Sequence, residues 1–279
     1  MKVNIICSDG MGWIYGTFIR KFGLYSKHKI FLNAAAGEKC DIQHLLPYYE
    51  NNKHTKHPFT IWSSHQESKE PLRSKFISAA KQADWCLSPS LKYVEVLKQN
   101  GISKVSQVKH GVDLDLFKPS QSIRPKSDKL ILGFVGRSYK STSRKNEQLL
   151  HKLAALDFVD LMITGGKVKE SDMPEFYNSC HLIISTSLIE GGPMSHVESA
   201  ACGVPFLCYD DVGTAREINY GTIRVPFKNE DAFLARVKNF WTNKEWLSYV
   251  PEQIRAQVET QNWQNFVDGH DNIWQSLLG

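Results

Sequence analysis

The chain has 279 residues, of which 42% are hydrophobic and 23% charged, a composition typical of globular proteins and a length sufficient for two domains of roughly 120–150 residues. It contains no run of about 18 apolar residues, so the sequence predicts no membrane-spanning helix. The formal net charge is +5.

The N-terminal and cysteine patterns indicate the compartment. The first ten residues, MKVNIICSDG, form a short strand pattern and lack the longer apolar core of a signal peptide. The six cysteines are scattered, none forms a CxxC pair, and several lie in apolar runs. We therefore expect reduced, mostly buried thiols, no zinc site and a cytoplasmic protein.

The positive charge is concentrated in the first half of the chain. Residues 1–119 carry 17 Lys and Arg against 10 Asp and Glu, whereas residues 120–279 carry 17 against 19. A basic half indicates an anionic partner for that half, such as nucleic acid, a phosphoglycan or a membrane surface. A mildly basic, solvated surface explains the same counts, and the sequence leaves both interpretations open.

Short apolar strands alternate with helical patterns in the first half. A strand over Lys2 to Cys7 is followed by a glycine turn and a helix from Trp13 to Phe22, the opening of a Rossmann-like unit. The second strand ends in Asn33 and not in an acidic residue, which argues against an NAD site. Residues 38–57 are predicted to be irregular. The remaining predicted elements of this half are strands at 29–32, 59–62, 85–87 and 105–108 and helices at 72–83 and 91–100.

His65 follows the strand that ends at Trp62. A histidine at the carboxyl end of a parallel strand lies where open α/β sheets bind ligands. A loop histidine whose hydrogen bonds are satisfied locally would show the same spacing.

The alternation restarts after a stretch that we interpret as the interdomain linker, residues 114–128, which contains Pro119 and Pro125. Strands alternating with helices in both halves predict two parallel-sheet domains. The predicted elements of the second half are strands at 129–135, 159–163, 181–185, 206–209 and 222–225 and helices at 145–156, 173–179, 193–202, 230–241 and 245–278, the last interrupted near Pro251.

The stretch from Ser185 to Pro205, STSLIEGGPMSHVESAACGVP, contains the strongest functional signal. An apolar strand breaks at Gly191-Gly192 and restarts as a helix, with Pro193 predicted at the first helical position. A helix N-terminus after a glycine turn binds anions through free N–H groups and the helix dipole. Glu190 before the turn and Glu198 inside the helix add two acceptors, which suits a nucleotide sugar. An ordinary helix start with two solvated glutamates is the alternative.

Cations follow a neighbouring predicted strand. Arg137 lies at the tip of the strand at 129–135, and Lys145 ends the basic segment KSTSRK. The planar fork of arginine and the point charge of lysine are suited to neutralising a diphosphate without a metal ion. The only Asp-x-Asp pair, at Asp113 and Asp115, lacks helper residues and is predicted to be structural. A solvated cationic loop is the alternative interpretation.

These motifs resemble the retaining GT-B glycosyltransferases of family four. The segment from Ala83, ADWCLSPSLKYVEVLKQNGISKVSQVKHGVDLDLFKP, is similar to the family's run that ends in Asn-Gly-Val-Asp and Phe-x-Pro, with His110 in place of the Asn. LGFVGRSYKSTSRKNEQLL resembles its Gly-Arg…Lys-Gly segment, with Asn146 in place of the Gly. Glu190 and Glu198 match its Glu-x7-Glu motif. The likeness is good over 83–225 and thin over 13–60.

The resemblance implies roles for single residues. Arg137 and Lys145 would bind the donor phosphates, with Lys140 and Arg144 as rivals for the lysine. Glu190 would hold sugar hydroxyls and Glu198 the ribose. Gly12 matches the glycine turn near the donor phosphate, and His65 resembles the histidine near the transferred sugar. The expected catalytic pair is therefore His65 and Glu190, and the expected donor-binding set is Gly12, Arg137, Lys145, Gly191, Gly192, Met194, Ser195 and Glu198.

The resemblance also implies an α/β fold of the GT-B type, with two Rossmann-like domains facing across a cleft. We expect an acceptor-side domain over 1–120, a nucleotide-sugar-binding domain over 121–262, and a C-terminal helix over 263–279 that packs back on the first domain. The first domain is short for the family, which would leave an open, basic acceptor side.

The expected activity is a metal-independent, retaining transfer of a sugar from a nucleotide diphosphate sugar, with UDP-sugar favoured, to a hydroxyl of an anionic acceptor. Hydroxymethylated DNA, as in phage-type DNA glycosyltransferases, and a cell-envelope glycan are the two candidate acceptors. The alternatives are a non-catalytic nucleic-acid-binding protein on the same scaffold and a GT-B epimerase or phosphorylase. The expectation includes no cofactor beyond the donor substrate.

Overall fold

The structure, a computed structural model, describes residues 1–8, 14–34, 39–53, 58–64, 70–120, 125, 127–137 and 143–279. It divides into two units. The first comprises Met1–Gly111 and Trp263–Gly279, and the second comprises Val112–Asn262. Among the helices described, none is both long and apolar enough to cross a membrane.

The first unit is built on a six-stranded sheet in the order β2-β1-β3-β4-β5-β6, and every strand pair in it is parallel. Parallel strands are buried on both faces, which explains the apolar runs in this half of the sequence. The strands are β1 Lys2–Ile6, β2 Lys29–Leu32, β3 Ile42–Leu45, β4 Phe59–Trp62, β5 Trp85–Ser88 and β6 Val105–Gln107. The helices of this unit are α1 Ile14–Tyr25, α2 Leu72–Gln82, α3 Leu91–Gln99 and, from the C-terminus, α9 Trp263–Ser276.

The prediction that residues 38–57 are irregular was wrong. They contain β3, which pairs with both β1 and β4 near the middle of the sheet, and a 3₁₀ turn over Tyr48–Lys53. The strand is only four residues long and includes His44, which is fully buried and hydrogen-bonds Thr60 at 2.7 Å. A short strand with two polar residues has no period that distinguishes it from a loop, and its burial depends on neighbours distant in sequence.

Helices α1 and α9 pack together in the first unit through aromatic side chains. Phe18 and Phe22 of α1 contact the Phe266 ring of α9, with ring centroids 4.9 Å and 5.5 Å apart. Trp274 is fully buried, and its indole N–H donates to Thr60 of β4. The C-terminal segment is therefore an integral part of the core of the first unit.

The second unit is built on a five-stranded parallel sheet in the order β11-β10-β9-β7-β8. Its strands are β7 Leu130–Phe134, β8 Val159–Ile163, β9 Leu182–Ser185, β10 Phe206–Tyr209 and β11 Thr222–Val225. Its helices are α4 Glu147–Ala154, α5 Met173–Asn178, α6 Met194–Ala201, α7 Glu230–Thr242 and α8 Pro251–Ala256. The helix predicted from residue 245 onward is thus a 3₁₀ turn over Glu245–Ser248 followed by α8 and α9.

The segment that we interpreted as the start of a linker belongs to the core of the second unit. Phe117 is 2% exposed and packs with the buried side chains of this unit. The guanidinium group of Arg255, in α8, donates to the carbonyl oxygens of Phe117, Leu114 and Ala201 at 2.5, 2.7 and 2.8 Å. Asp113 accepts hydrogen bonds from the backbone N–H groups of the next turn, which is a structural role.

These sheets confirm the predicted α/β class with two Rossmann-like parallel-sheet domains. The chain passes between units after Gly111 and again after Asn262, whereas the first boundary was predicted at residue 120. None of the six cysteines forms a disulfide and five of them are buried, in agreement with the expected thiols.

Replacing Arg255 with Met should destabilise the protein, because three carbonyl groups in partly buried surroundings would lose their donor. We expect a loss of about 2–4 kcal/mol of unfolding free energy, seen as a melting temperature lower by several degrees. Arg224→Met is the matched control, since Arg224 is exposed and its bonds to Ala215 and Asn219 are long, at 3.2 and 3.4 Å. Equal melting temperatures for the two variants would contradict the structural role of Arg255.

Candidate functional site

The order of strands in the second unit defines where a ligand is expected. From β7 the chain proceeds outward to β8, and it then returns to β9 on the other side of β7. The crevice beyond the carboxyl ends of two such neighbouring strands is the ligand site of open parallel sheets. Residues 135–137 follow β7 and residues 186–190 follow β9, so the predicted Arg137 and Glu190 both lie at this edge.

The turn after β8 supports the side chain of Arg137. Gly136 has a φ of +144° and its N–H donates to the Thr164 hydroxyl at 3.1 Å. A Cβ atom on Gly166 would lie 2.3 Å from Nε of Arg137, so the arginine side chain passes directly over this glycine. Only a glycine fits at residue 166, since its φ is also positive at +73°. The turn therefore holds Arg137 at the tip of β7.

Lys145 and Glu190 form an ion pair at the same edge. The Nζ atom of Lys145 lies 2.8 Å from Oε2 of Glu190, and both side chains are nearly buried, at 13% and 10% exposed. Nη2 of Arg144 lies 3.5 Å from the same oxygen, and the Arg144 side chain is one-third exposed. Two cations around one carboxylate give the cluster a net positive charge, which is suited to an anionic ligand.

Backbone contacts fix the two loops that carry this cluster. The Thr186 hydroxyl donates to the carbonyl of Lys145 at 2.6 Å, and the N–H of Leu188 donates to the carbonyl of Arg144 at 2.8 Å. The carbonyl of Glu190 accepts from the N–H of Gly213 at 2.9 Å. The loops after β7, β9 and β10 are thus joined, and the charged side chains stand on a connected framework.

Asn146 explains one departure from the family pattern. It has a φ of +49°, in the left-handed region that favours glycine, and it directly precedes α4. Asparagine tolerates this conformation better than most residues. Its side-chain amide donates to Glu230 at 3.0 Å, which adds a stabilising contact that glycine lacks. The predicted helix from 145 begins only at Glu147 because Ser143–Lys145 form a 3₁₀ turn.

The glycine pair leads into α6 as predicted, with one correction. Gly191 and Gly192 are buried, and α6 begins at Met194 with Pro193 as the N-cap residue. Pro193 has a ψ of 135° and is therefore extended, so it does not occupy the first helical position. Ser195 lies buried in the first turn of α6. The N–H groups of this turn lie just after the Glu190 loop.

His196 anchors α6 to the sheet. Its ring nitrogens hydrogen-bond the hydroxyls of Thr214 and Thr222 at 3.0 and 2.7 Å, and its ring stacks on Phe206. Burial lowers the pKa of His196 to about 3, so the imidazole stays neutral. This histidine is a structural residue of the helix that carries the second acid.

Glu198 lies in the second turn of α6 and bonds a buried tyrosine. The hydroxyl of Tyr177, in α5, donates to Oε2 of Glu198 at 2.5 Å. Removal from water raises the pKa of Glu198 to about 7; the Tyr177 hydrogen bond lowers it, and the nearby charge of Glu170 raises it further. Taken as a whole residue, Glu198 is only partly buried.

The predicted site residues thus fall into two described groups. Lys145 and Glu190 meet directly, with Arg137 at the neighbouring strand tip, whereas Glu198 in the second turn of α6 pairs with Tyr177 of α5. Gly12, His65 and Lys140 lie outside the described residues. His110 belongs to the first unit, where it is 4% exposed and packs against Phe18 and Trp62.

Sequence reasoning did not assign Tyr177 and gave Arg144 only as a rival of Lys145. Tyr177 had no signal of its own, because nothing in a short amphipathic helix marks which residue touches α6. Among the residues that the structure describes, no group of three or more His, Cys, Asp and Glu side chains is arranged to hold a metal ion.

Known proteins resemble this chain in sequence and in fold. A mannosylfructose-phosphate synthase from Agrobacterium fabrum is 29% identical over 96 residues, a match that spans 33% of this chain and only 21% of that protein. A sucrose-phosphate synthase from Thermosynechococcus elongatus superposes with a TM-score of 0.77 at 12% identity, covering 100% of this chain and 99% of its own.

Further solved structures share the architecture. Anabaena Alr3699/HepE, solved in complex with UDP-glucose, superposes with a TM-score of 0.76 at 13% identity over 99% of this chain and 100% of its own. The structure of TarM gives a TM-score of 0.65 at 14% identity, covering 84% of this chain and 54% of TarM. At these identities the likeness shows the fold, which is that of GT-B enzymes.

The sequence model of the family described as glycosyl transferases group 1 matches residues 99–257, more than half of the chain. That stretch includes Arg137, Lys145 and Glu190, which follow strands of the second sheet, and Glu198 in α6. Together with the two parallel-sheet units, this match places the chain in the glycosyl transferases group 1 family, as a glycosyltransferase of the GT-B fold.

Proposed function

We propose that this glycosyltransferase moves a sugar from a UDP-sugar to a hydroxyl of an anionic acceptor, with retention of configuration and without a metal ion. The observation that carries the proposal is the pairing of Lys145 and Arg144 with Glu190 at the strand-order switch of the second sheet. Two structures that resemble this chain, of Anabaena Alr3699/HepE, contain UDP-glucose or UDP with glucose, which supports the choice of uridine nucleotide.

The cations would stabilise the leaving group. As the bond between sugar and phosphate breaks, negative charge accumulates on the diphosphate, and fixed positive groups lower the energy of that state. Lys145 and Arg144 already lie beside one carboxylate, and Arg137 stands at the next strand tip. In the proposal these three groups turn toward the diphosphate, and the N–H groups at the tip of α6 contribute to the same charge.

Glu190 would have two tasks. Its carboxylate compensates the nearly buried charge of Lys145, which avoids the cost of an unpaired buried cation. With a donor bound, the phosphates take over that compensation and the carboxylate accepts hydrogen bonds from sugar hydroxyls. Glu198 would accept from a ribose hydroxyl of the nucleotide.

Retention follows in this proposal from attack on the face that the diphosphate leaves. A leaving phosphate oxygen would accept the proton of the acceptor hydroxyl while the new bond to the sugar forms. His65, expected near the transferred sugar, would lie beside this step. Stereochemistry is tested by the anomeric configuration of the product, which ¹H NMR coupling constants report.

The acceptor would be anionic because the first unit is basic. Its residues 1–111 and 263–279 carry 16 Lys and Arg against 10 Asp and Glu, whereas 112–262 carry 18 against 19. Hydroxymethylated DNA and an envelope glycan both have the required charge and hydroxyl groups. Counterion release would make the binding of either polyanion strongly dependent on salt.

Lys145→Met should reduce turnover strongly, because it removes a charge that stabilises the leaving diphosphate. We expect a decrease of about 100-fold or more in kcat, measured as UDP release from UDP-glucose. Lys152→Met is the matched control, since Lys152 pairs with Glu230 at 2.7 Å in the same unit but on an exposed surface. If both variants retain the activity of the unmodified enzyme, Lys145 does not bind the sugar donor.

Glu198→Gln should weaken donor binding and stabilise the protein. We expect the Kd for UDP at pH 8 to rise about 10- to 100-fold, since a charged acceptor is lost. The pKa of Glu198 in the folded protein is raised to about 7. The protonated side chain therefore contributes to the free energy of unfolding fully below about pH 4.5, and this contribution is lost as the pH rises through 7.

At pH 8 the melting temperature of the glutamine variant should therefore exceed that of the unmodified protein by at least about 2–4 °C. At pH 4.5 the two melting temperatures should be equal. Calorimetric titration with UDP and thermal melts at the two pH values measure both effects. Unchanged UDP affinity would contradict the role of Glu198 as a donor ligand.

The acceptor is tested by adding polyanions to the UDP-release assay. Duplex DNA containing 5-hydroxymethylcytosine, the same duplex with cytosine, and a phosphate-bearing glycan are compared at 50 and 200 mM salt. Stimulation by one acceptor that decreases steeply at the higher salt is the expected result. Equal stimulation by a neutral oligosaccharide would contradict an anionic acceptor.

A further inference from the structure

The hydroxyl of Tyr177 lies 2.5 Å from Oε2 of Glu198, one of the residues predicted to bind the nucleotide sugar. Tyr177 itself belongs to none of the sequence motifs described above. Tyr177 is fully buried, and its ring packs against Phe117 and Phe176 with centroid distances of 6.1 and 5.8 Å. Burial and the neighbouring Glu198 raise the pKa of Tyr177 well above its usual range. The phenol therefore keeps its proton and acts only as a donor toward the carboxyl.

The surroundings hold the Tyr177 ring in place. The adjacent Asn178 donates to the carbonyls of Lys118 and Pro174 and accepts from the N–H of Ser120 at 2.8 Å. Helix α5 is thereby tied to the segment 112–120, which Arg255 ties in turn to the end of α6. These contacts fix the position of the Tyr177 hydroxyl, which therefore donates to one oxygen of Glu198, Oε2.

The two oxygens of Glu198 are consequently different. Oε2 is taken by Tyr177, whereas Oε1 has no hydrogen bond among the residues that the structure describes. A carboxylate whose rotation is fixed in this way presents a single acceptor in a defined direction. A free carboxylate would have to lose its rotational freedom when a ligand binds.

We propose that Tyr177 is a positioning residue that locks Oε2 of Glu198, so that Oε1 accepts a hydrogen bond from a ribose hydroxyl of the donor. The inference rests on the proposed function and adds a residue that the family motifs do not include. It also makes nucleotide binding dependent on the protonation state of Glu198, because a protonated carboxyl held by Tyr177 is a poorer acceptor.

Besides burial, two neighbouring side chains shift the pKa of Glu198, and two further titratable or charged groups lie close by. Tyr177 in α5 favours the carboxylate, and Glu170 in the preceding 3₁₀ turn disfavours it. The thiol of Cys202, at the end of α6, has a pKa raised to about 12 and stays neutral. Arg255 of α8 lies near that thiol and lowers its pKa. The Tyr177 hydrogen bond is thus the contact that opposes the raised pKa of Glu198.

The test is the binding of UDP between pH 5.5 and 9, measured by calorimetry for the unmodified protein, Tyr177→Phe and Glu198→Gln. In the unmodified protein we expect affinity to fall about tenfold between pH 8 and 6, because the competent carboxylate fraction falls in proportion. In Tyr177→Phe the inflection should move to higher pH by about one unit, which weakens binding at pH 7 about fivefold and leaves it within about threefold at pH 9.

Titrations of Glu198→Gln show how much of the pH dependence comes from the phosphates of UDP, because this variant lacks the titrating carboxyl group while the ligand is unchanged. Tyr220→Phe is the matched control: Tyr220 also hydrogen-bonds through its hydroxyl, to the backbone at 248 and 250, and should leave the profile unchanged. Melting temperatures in the same buffers verify folding, and the phenylalanine at 177 keeps the ring packing, so a decrease of only a few degrees is expected.

The outcomes separate the two proposals. If Tyr177→Phe has the same pH profile as the unmodified protein, or loses affinity equally at every pH, Tyr177 is merely structural and the positioning role is overturned. If Glu198→Gln binds UDP as well as the unmodified protein does at every pH, or if the unmodified protein does not bind UDP, the donor site itself is misassigned.

Discussion

The candidate site of the second unit depends on an ion pair at the carboxyl edge of its parallel sheet, in which Glu190 compensates the charge of Lys145. Lys145 and Glu190 are both nearly buried and lie 2.8 Å apart, and each would be costly to bury alone. The sheet creates the place for them because its strand order reverses between β7 and β9. The loops that follow these strands are joined by hydrogen bonds to backbone carbonyls, so the pair is held in position.

Binding and stability are opposed at Glu198. Its carboxyl lies in surroundings that raise its pKa to about 7, so the ionised form is a cost to the fold at neutral pH. The tyrosine hydrogen bond offsets a part of that cost. Such a conflict between stability and a local charge is typical of groups that interact with ligands, and it is consistent with a carboxylate kept for a nucleotide hydroxyl.

The segment 112–120 links several of these features within the second unit. Phe117 packs beside Tyr177, Asn178 binds the backbone of residues 118 and 120, and Arg255 joins the same segment to the carbonyl of Ala201. The helices that carry Tyr177 and Glu198 are therefore braced from one side by a stretch without regular structure. From sequence alone this segment is interpreted as part of the interdomain linker over 114–128, which contains Pro119 and Pro125. Its buried contacts make it part of the core.

The sequence by itself determined the α/β class and the charged residues at the edge of the second sheet. It also gave the approximate positions of ten of the eleven strands in the part of the chain that the structure describes, because apolar runs and glycine turns are local signals. It did not determine β3, since a four-residue strand with a buried histidine is stabilised by neighbours remote in sequence. Only the tertiary structure placed two cations on Glu190 and a phenol on Glu198. Those pairings join residues 45 and 21 positions apart, and a distance of that kind is set by how strands and helices pack, which no local pattern encodes.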